Sequence, residues 1–336
     1  MPWKSQLFSS EKYRKENKIM IISASRRTDI PAFYAPWFMN RIHAGFVDTI
    51  NPFNRKQVSR ISLRPEDVDC IVFWTKNAAP MMPYLTELDK KYKFYFQFTI
   101  TPYGHDIEPA LPPKNQIIQT FRELSKKLGK ERVVWRYDPI LLNDYYTIQE
   151  HMQDFSVMLE KLAPYTDRCV ISFLDLYRKT ERNTRPLHLH PLGIQEMNDL
   201  AKGLSQIAKG SGVILQTCSE AIDLDAYGIA HGACIDKERI EKVIGVPIDV
   251  KKDDTQRDVC HCMKSVDIGQ YDTCLHLCRY CYANTNSKTV EASYANHHPN
   301  STILSGELRG DEKITERKVM HLRKKISLDD QMYSLF

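Results

Sequence analysis

Strand-like runs of β-branched and aromatic residues alternate along the chain with segments whose apolar positions recur at helical spacing. This alternation predicts a parallel sheet wrapped by helices. The strand-like runs fall at 19–24, 46–50, 70–74, 93–101, 132–137, 169–174 and 213–217. Helical patterns lie between them at about 32–44, 79–90, 114–128, 147–162 and 191–209, the last with Pro191 placed to start a helix. No internal repeat, low-complexity tract or Gly/Ser linker interrupts the series. The predicted fold is α/β and TIM-barrel-like, a full or partial β/α barrel over residues 1–250, followed at 251–336 by a cysteine-rich segment packed on it.

Composition narrows the class. At 336 residues and 42% hydrophobic content, one large core is favoured over two ordinary domains. No apolar run is long enough to cross a membrane, and Met1-Pro2-Trp3-Lys4-Ser5 lacks the apolar stretch of a secretion signal, so a cytoplasmic protein without a membrane partner is expected. A net charge of +5 hints at a polyanionic partner, but the charged runs at 12–18, 122–130 and 317–325 mix both signs and read first as solvated helix faces. Nine cysteines without an export signal argue for metal ligation over disulfides, because the cytosol keeps thiols reduced.

Cys274, Cys278 and Cys281 stand in a C-x3-C-x2-C run. Three thiolates at that spacing can hold three irons of a four-iron cluster and leave the fourth open, and an open iron can bind a small molecule and pass it an electron. A structural zinc site on the same thiols is the competing reading. Cys70 and Cys169 lie within apolar strands and read as small buried hydrophobes. Cys218, Cys234, Cys260 and Cys262 remain, enough for a closed auxiliary iron-sulfur cluster or a zinc site, and Cys260-His261-Cys262 is too tight for ordinary core packing. His261 and His276 lie in the same region and read as structural or cluster-shielding residues.

In a β/α barrel, chemistry gathers where strands end. Polar residues are dense there: Ser25, Arg26, Arg27, Thr28 and Asp29; Asn51 and Asn54; Thr75, Lys76 and Asn77; Thr101, Tyr103 and His105; Arg136 and Asp138; Asp175 and Tyr177; Cys218 and Glu220. Lys76 and Arg136 adjoin strongly apolar stretches, where an unpaired charge is costly. They therefore line a pocket for an anion or form internal pairs such as Arg136 with Asp138 and Arg27 with Asp29.

The run Cys274-Leu275-His276-Leu277-Cys278-Arg279-Tyr280-Cys281, with an aromatic residue before the last cysteine, resembles the signature of the radical S-adenosylmethionine superfamily. Its extension through Tyr282-Ala283 is similar to the spore photoproduct lyase and DNA-repair-photolyase-like branch. Ser23 to Pro31, Phe73-Trp74-Thr75-Lys76-Asn77, Arg136-Tyr137-Asp138-Pro139 and Asp267-Ile268-Gly269 through Thr273-Cys274 together resemble the family called domain of unknown function 1848, over nearly the full length. The resemblance implies a 4Fe-4S cluster on the C-terminal cysteines, S-adenosylmethionine on its open iron, and a 5'-deoxyadenosyl radical that abstracts hydrogen from an unknown substrate. It implies an electron donor such as flavodoxin or ferredoxin and suggests nucleic acid as one substrate class. Tyr280 would pack beside the cluster and adenine, and Arg26, Arg27, Lys76, Arg136 and Asp138 would divide cofactor and substrate between them; no catalytic residue is assigned.

Two departures stand out. The superfamily usually places its cysteine loop after the first strand, whereas here seven strand-like runs precede it, so a circular rearrangement or a closed barrel is needed. A Gly-Gly-Glu-like segment is not evident beyond Ser305-Gly306-Glu307. A non-radical iron-sulfur redox protein and a zinc-stapled nucleic-acid-binding protein are the alternatives.

Overall fold

The computed structural model of the chain describes residues 20–318, so the predicted start of the first strand at residue 19, the charged run at 12–18 and all but the first two residues of the run at 317–325 lie outside it. Its strands are β1 (Met20–Ala24), β2 (Phe46–Asn51), β3 (Asn54–Ser62), β4 (Val68–Thr75), β5 (Phe94–Thr99), β6 (Val133–Ile140), β7 (Arg168–Phe173), β8 (Ile214–Cys218), β9 (Ala230–Gly232), β10 (Val266–Asp267) and β11 (Lys313–Glu316). Eight of them form one sheet in the order β10-β1-β4-β5-β6-β7-β8-β9, and every neighbouring pair is parallel. The row is open, with the short strands β10 and β9 at its two edges. The architecture is therefore α/β, with a mostly parallel sheet and helices against it.

Both faces of the sheet are buried, which is why its strands read as nearly continuous apolar runs. On one face Ile22, Ile71, Phe73, Phe96, Trp135 and Ile171 form a core with the helices Ala35–Ala44, Lys114–Leu128, Ile148–Leu162 and Ile194–Ala208. On the other, Ile21, Cys70, Val72, Tyr95, Val134 and Val170 are covered by the segment 234–263, through Ile235, Ile240, Ile248 and Val250. Cys70 and Cys169 are fully buried in their strands, as expected of small hydrophobes. The helices start where capping chemistry allows: Asp29 accepts from Ala32 N at 2.9 Å, Thr147 from Glu150 N at 3.2 Å and Asp236 from Arg239 N at 2.9 Å. No helix among the described residues is long and apolar enough to cross a membrane.

The structure corrects the sequence reading in several elements, among them the helix expected from Pro191, which begins instead at Ile194 behind Gly193. The run 46–50 is a strand, but it does not join the parallel sheet; it pairs antiparallel with β3, and β11 adds a third strand. Only Val58 and Ile61 of β3 are buried, so its charged sequence does not read as a strand by itself. Asn51 and Asn54 consequently sit at a hairpin turn, where Asn51 Oδ1 accepts from Phe53 N at 2.9 Å, and not among the parallel strand ends. The predicted helix 79–90 begins as a 3-10 turn at Ala79–Tyr84 and is α-helical only over Leu85–Asp89, because Pro80 and Pro83 supply no N–H.

Candidate functional site

The cysteine loop begins at the C-terminal end of β10. Asp267 anchors it to β1 by accepting from Ser23 Oγ at 2.8 Å, Ser25 Oγ at 2.6 Å, Arg26 N at 2.9 Å and Gly269 N at 2.9 Å. Gly269 is required by space, since a Cβ there would lie 2.1 Å from Ser25 Oγ and 2.5 Å from its Cβ. Gly269→Ala is expected to destabilise the protein by about 1–3 kcal/mol, the usual effect of forced overpacking. Urea unfolding checks this, and Ser25→Gly in the same chain should recover part of the loss; no shift of the midpoint in Gly269→Ala would count against a tight contact.

Further along, the loop folds back on itself. Asp272 N donates to Ala283 O at 2.9 Å, and its carboxylate accepts from Thr285 N and from Thr285 Oγ1, the latter at 3.1 Å. Asp272 and Leu277 adopt left-handed backbone conformations, φ 58° and 56°, uncommon for non-glycine residues, and these bonds hold the first of them. Contacts to the segments after β1 and β5 hold the loop in place. His276 Nε2 donates to Asp29 at 2.8 Å, Tyr282 Oη to Arg26 O at 2.9 Å, Arg279 N to Ile107 O at 2.9 Å and Tyr34 Oη to Thr273 O at 2.6 Å.

Cys274, Cys278 and Cys281 lie close enough to influence one another's ionisation. Burial raises all three thiols; that of Cys278 is pushed up to about 12 although Lys76 opposes the shift. Backbone N–H groups serve the sulphurs, His276 to Cys274, and Ala283 and Asn284 to Cys281. Among the described residues, no three His, Cys, Asp or Glu side chains converge on a single ion. A cubane makes a different demand, since each of its thiolates binds its own iron and the ligands surround a body instead of a point. Buried thiols with peptide donors and a nearby ammonium fit such a group, because hydrogen bonds and positive charge stabilise thiolate ligands.

Lys76 belongs to a buried network centred on Glu108. That carboxylate, whose side chain is 1% exposed, accepts from Lys76 Nζ at 2.6 Å, Lys114 Nζ at 2.5 Å, Thr101 Oγ1 at 2.7 Å and Tyr280 Oη. Burial lowers the affinity of both lysines for their protons, yet Lys76 ends raised and Lys114 lowered. One carboxylate cannot fully compensate two ammoniums, and Lys114 is also repelled by Lys76. Glu108 and Lys114 had no signal in the sequence, because Glu108 lies between the predicted strand 93–101 and helix 114–128 and Lys114 is one of several lysines in that helix.

The four remaining cysteines also meet. Cys218 ends β8, and its Sγ lies 2.8 Å from that of Cys234; Cys234 shares a side-chain hydrogen bond with Cys262, and Cys262 with Cys260. Arg136 Nη1 donates to Cys234 Sγ and Gln97 Oε1, both at 3.2 Å, while its Nε meets Asp138 at 3.0 Å. The internal pair Arg136 with Asp138 therefore forms. Arg27 with Asp29 does not: Asp29 is taken by Ala32 N, Thr75 Oγ1, Lys76 N and His276, while Arg27 lies 4.9 Å over the Tyr271 ring. Arg26 points toward Cys262 and Cys234, 5.3 Å over Trp74, and its buried Nε and Nη2 have no partner. At the same strand ends, Glu220 accepts from Phe173 N at 2.8 Å and is raised to about 7 by burial, with Asp175 nearby. Ser305 Oγ donates to Ser293 O at 2.5 Å, which ties the Ser305-Gly306-Glu307 segment to the helix Ser287–Ala295.

The family described as Domain of unknown function (DUF1848) matches residues 21–283. No curated protein matches the chain. Among solved structures, the crystal structure of a candidate alpha-L-fucosidase from Bacteroides thetaiotaomicron VPI-5482 is similar at 12% identity, covering 66% of this chain and 81% of that one, with a TM-score of 0.23. The family match spans more than half of the sequence, and the chain belongs to the DUF1848 family.

Proposed function

We propose that this DUF1848 protein is a radical S-adenosylmethionine enzyme whose 4Fe-4S cluster is held by Cys274, Cys278 and Cys281. The observation that carries the reading is the loop itself: one buried and two half-buried thiols, backbone N–H donors at the first and third, and an ammonium beside the second. Its position in the sheet supports the same reading. β10, which feeds the loop, stands at the edge beside β1, so a strand late in sequence comes first in space. That strand order is compatible with the rearrangement anticipated from the late motif, and we read the sheet as a partial β/α barrel with a C-terminal iron-sulfur segment.

When bound, such a cluster supplies one electron to the sulfonium of S-adenosylmethionine, which separates into methionine and a 5'-deoxyadenosyl radical. The residues of the chain divide the supporting work. Lys76, neutralised in part by Glu108, places positive charge at Cys278 and favours electron uptake there. Tyr280 packs against Tyr103 at 6.0 Å and is fixed through Glu108, which keeps water from that side. Of the cations named from sequence, Lys76 and Arg136 are committed to Glu108 and Asp138, and Arg26 faces the second group of thiols. Arg27, whose side chain makes among the described residues one hydrogen bond, a 3.5 Å contact to Gly269 O, is left to receive the planar carboxylate of the cofactor. Hydrogen abstraction would act on a substrate held at the C-terminal ends of the parallel strands.

Anaerobic reconstitution tests the proposal. The reduced protein should show an electron paramagnetic resonance spectrum that changes when S-adenosylmethionine is added, and 5'-deoxyadenosine should accumulate with dithionite or a flavodoxin as electron donor. A spectrum indifferent to the cofactor would assign the loop to electron storage, and zinc without acid-labile sulfide at this loop would remove the enzyme.

A further inference from the structure

We propose that Cys218, Cys234, Cys260 and Cys262 bind a second thiophilic metal centre, separate from the 274–281 loop and independent of the radical chemistry proposed for it. Three chain segments distant in sequence bring these thiols together: the end of β8, the turn after β9, and the strip at 260–262. The convergence is built by the backbone. Cys218 is in register with Gly232 of β9, and a Cβ at Gly232 would lie 2.9 Å from Thr217 O and from the Gln216 side chain, so glycine there permits the close approach. Tyr95 Oη and Gln97 Nε2 both donate to Cys234 O, at 2.6 and 2.8 Å, which fixes the second segment on β5. Asp253 N to Cys262 O at 2.8 Å and Met263 N to Ile235 O at 3.0 Å place the third.

Charge and burial point to an anionic occupant. Four thiolates around a divalent ion, or around a 4Fe-4S cluster, carry an overall charge of about −2. Two guanidiniums face the thiols, Arg136 with an Nη1 donated to Cys234 Sγ and Arg26 with two buried donors that no protein group accepts. Unpartnered buried donors are costly, and metal-bound sulphurs are acceptors that would relieve them. By contrast, the buried Cys70 and Cys169 lie singly in their strands. The 2.8 Å separation of Cys218 and Cys234 is shorter than the ~3.8 Å between two ligands of one tetrahedral zinc, so this pair must part by about 1 Å to share an ion and further for a cluster.

A structural reason for the centre follows from the fold. The segment 234–263 is the cover for one whole face of the sheet, yet its only helix among the described residues is Lys237–Ile244. A cover with so little regular structure gains most from a metal cross-link to β8 and to itself.

The test uses the full chain isolated anaerobically. Cys278→Ala removes one of the three ligands of the first centre and is expected to strip its iron, so metal that persists in it belongs to the second. We expect about one zinc, or about four iron with matching sulfide, to persist, and these two arms identify the occupant. Cys234→Ser should lose that metal while retaining the iron of the 274–281 loop. Because Cys234→Ser can fail to fold, Co2+ added to reduced, metal-stripped Cys278→Ala gives a second readout, the thiolate charge-transfer and tetrahedral ligand-field bands of cobalt. A folded Cys278→Ala protein with neither bound metal nor these bands overturns the proposal. So does a Cys218 to Cys234 disulfide found by mass spectrometry in protein never exposed to oxidant.

Discussion

Cys278→Ala is expected to abolish formation of 5'-deoxyadenosine and to strip iron from the 274–281 loop while leaving the parallel sheet folded. Loss of one of three thiolates exposes a further iron of the cluster, and affinity should fall by at least the ~100-fold that supporting residues of metal sites can contribute. The fold should survive because the loop does not depend on this thiol for its shape. Asp272 closes it through Thr285 and Ala283, Asp267 anchors it to β1, and His276 and Tyr282 tie it to Asp29 and Arg26. Iron analysis, a 5'-deoxyadenosine assay and far-ultraviolet circular dichroism on the same sample check the three parts. Undiminished product from a variant of native circular dichroism would contradict the assignment of Cys278.

Glu108→Gln should be the most destabilising conservative change near the site, at about 3–5 kcal/mol. The amide keeps the shape of the side chain but leaves the largely buried Lys76 and the partly exposed Lys114 as two ammoniums without this counter-charge. In the native protein, burial alone would raise the Glu108 carboxyl, but the two lysines overcome that effect and hold it down at about 2, against 4.5 in an unperturbed glutamate. A carboxyl lowered by folding contributes stability that is complete above its unfolded value and is lost as pH falls toward its folded value. The contribution, about 3 kcal/mol, should therefore be present above pH 4.5 and disappear between pH 4.5 and about 2. Urea midpoints measured through this range should fall in the native protein and change far less in Glu108→Gln. Equal acid sensitivity of the two would show that the network does not act through this carboxylate.

Hairpin β2/β3 and the Glu108 network show where reading from sequence stops. Phe46-Val47 has strand character, but nothing local says whether its partner is a parallel neighbour or the charged run that follows, and only two buried positions in β3 distinguish the answer. Residues 104–113 have the composition of a loop, and Glu108 acquires its role only because that loop passes between Lys76, Lys114 and Tyr280. Arg27 and Asp29 are two residues apart and of opposite sign, yet the helix that Asp29 caps turns its carboxylate toward Thr75 and His276.

What the amino-acid order determined alone was local: the parallel-sheet class, from long apolar runs separated by amphipathic helices; the spacing of Cys274, Cys278 and Cys281; and the family, through motifs that lie near strand ends. Tertiary structure decided what depends on contacts between distant segments. It put β10 beside β1 and so returned a late loop to the first strand's side of the sheet. It gathered Cys218, Cys234, Cys260 and Cys262 from three segments, and gave Lys76 and Arg136 their counter-ions. The physical reason is range: periodicity and capping act over a few residues, whereas strand order and the pairing of buried charges are set by which surfaces must be covered once the whole sheet has formed.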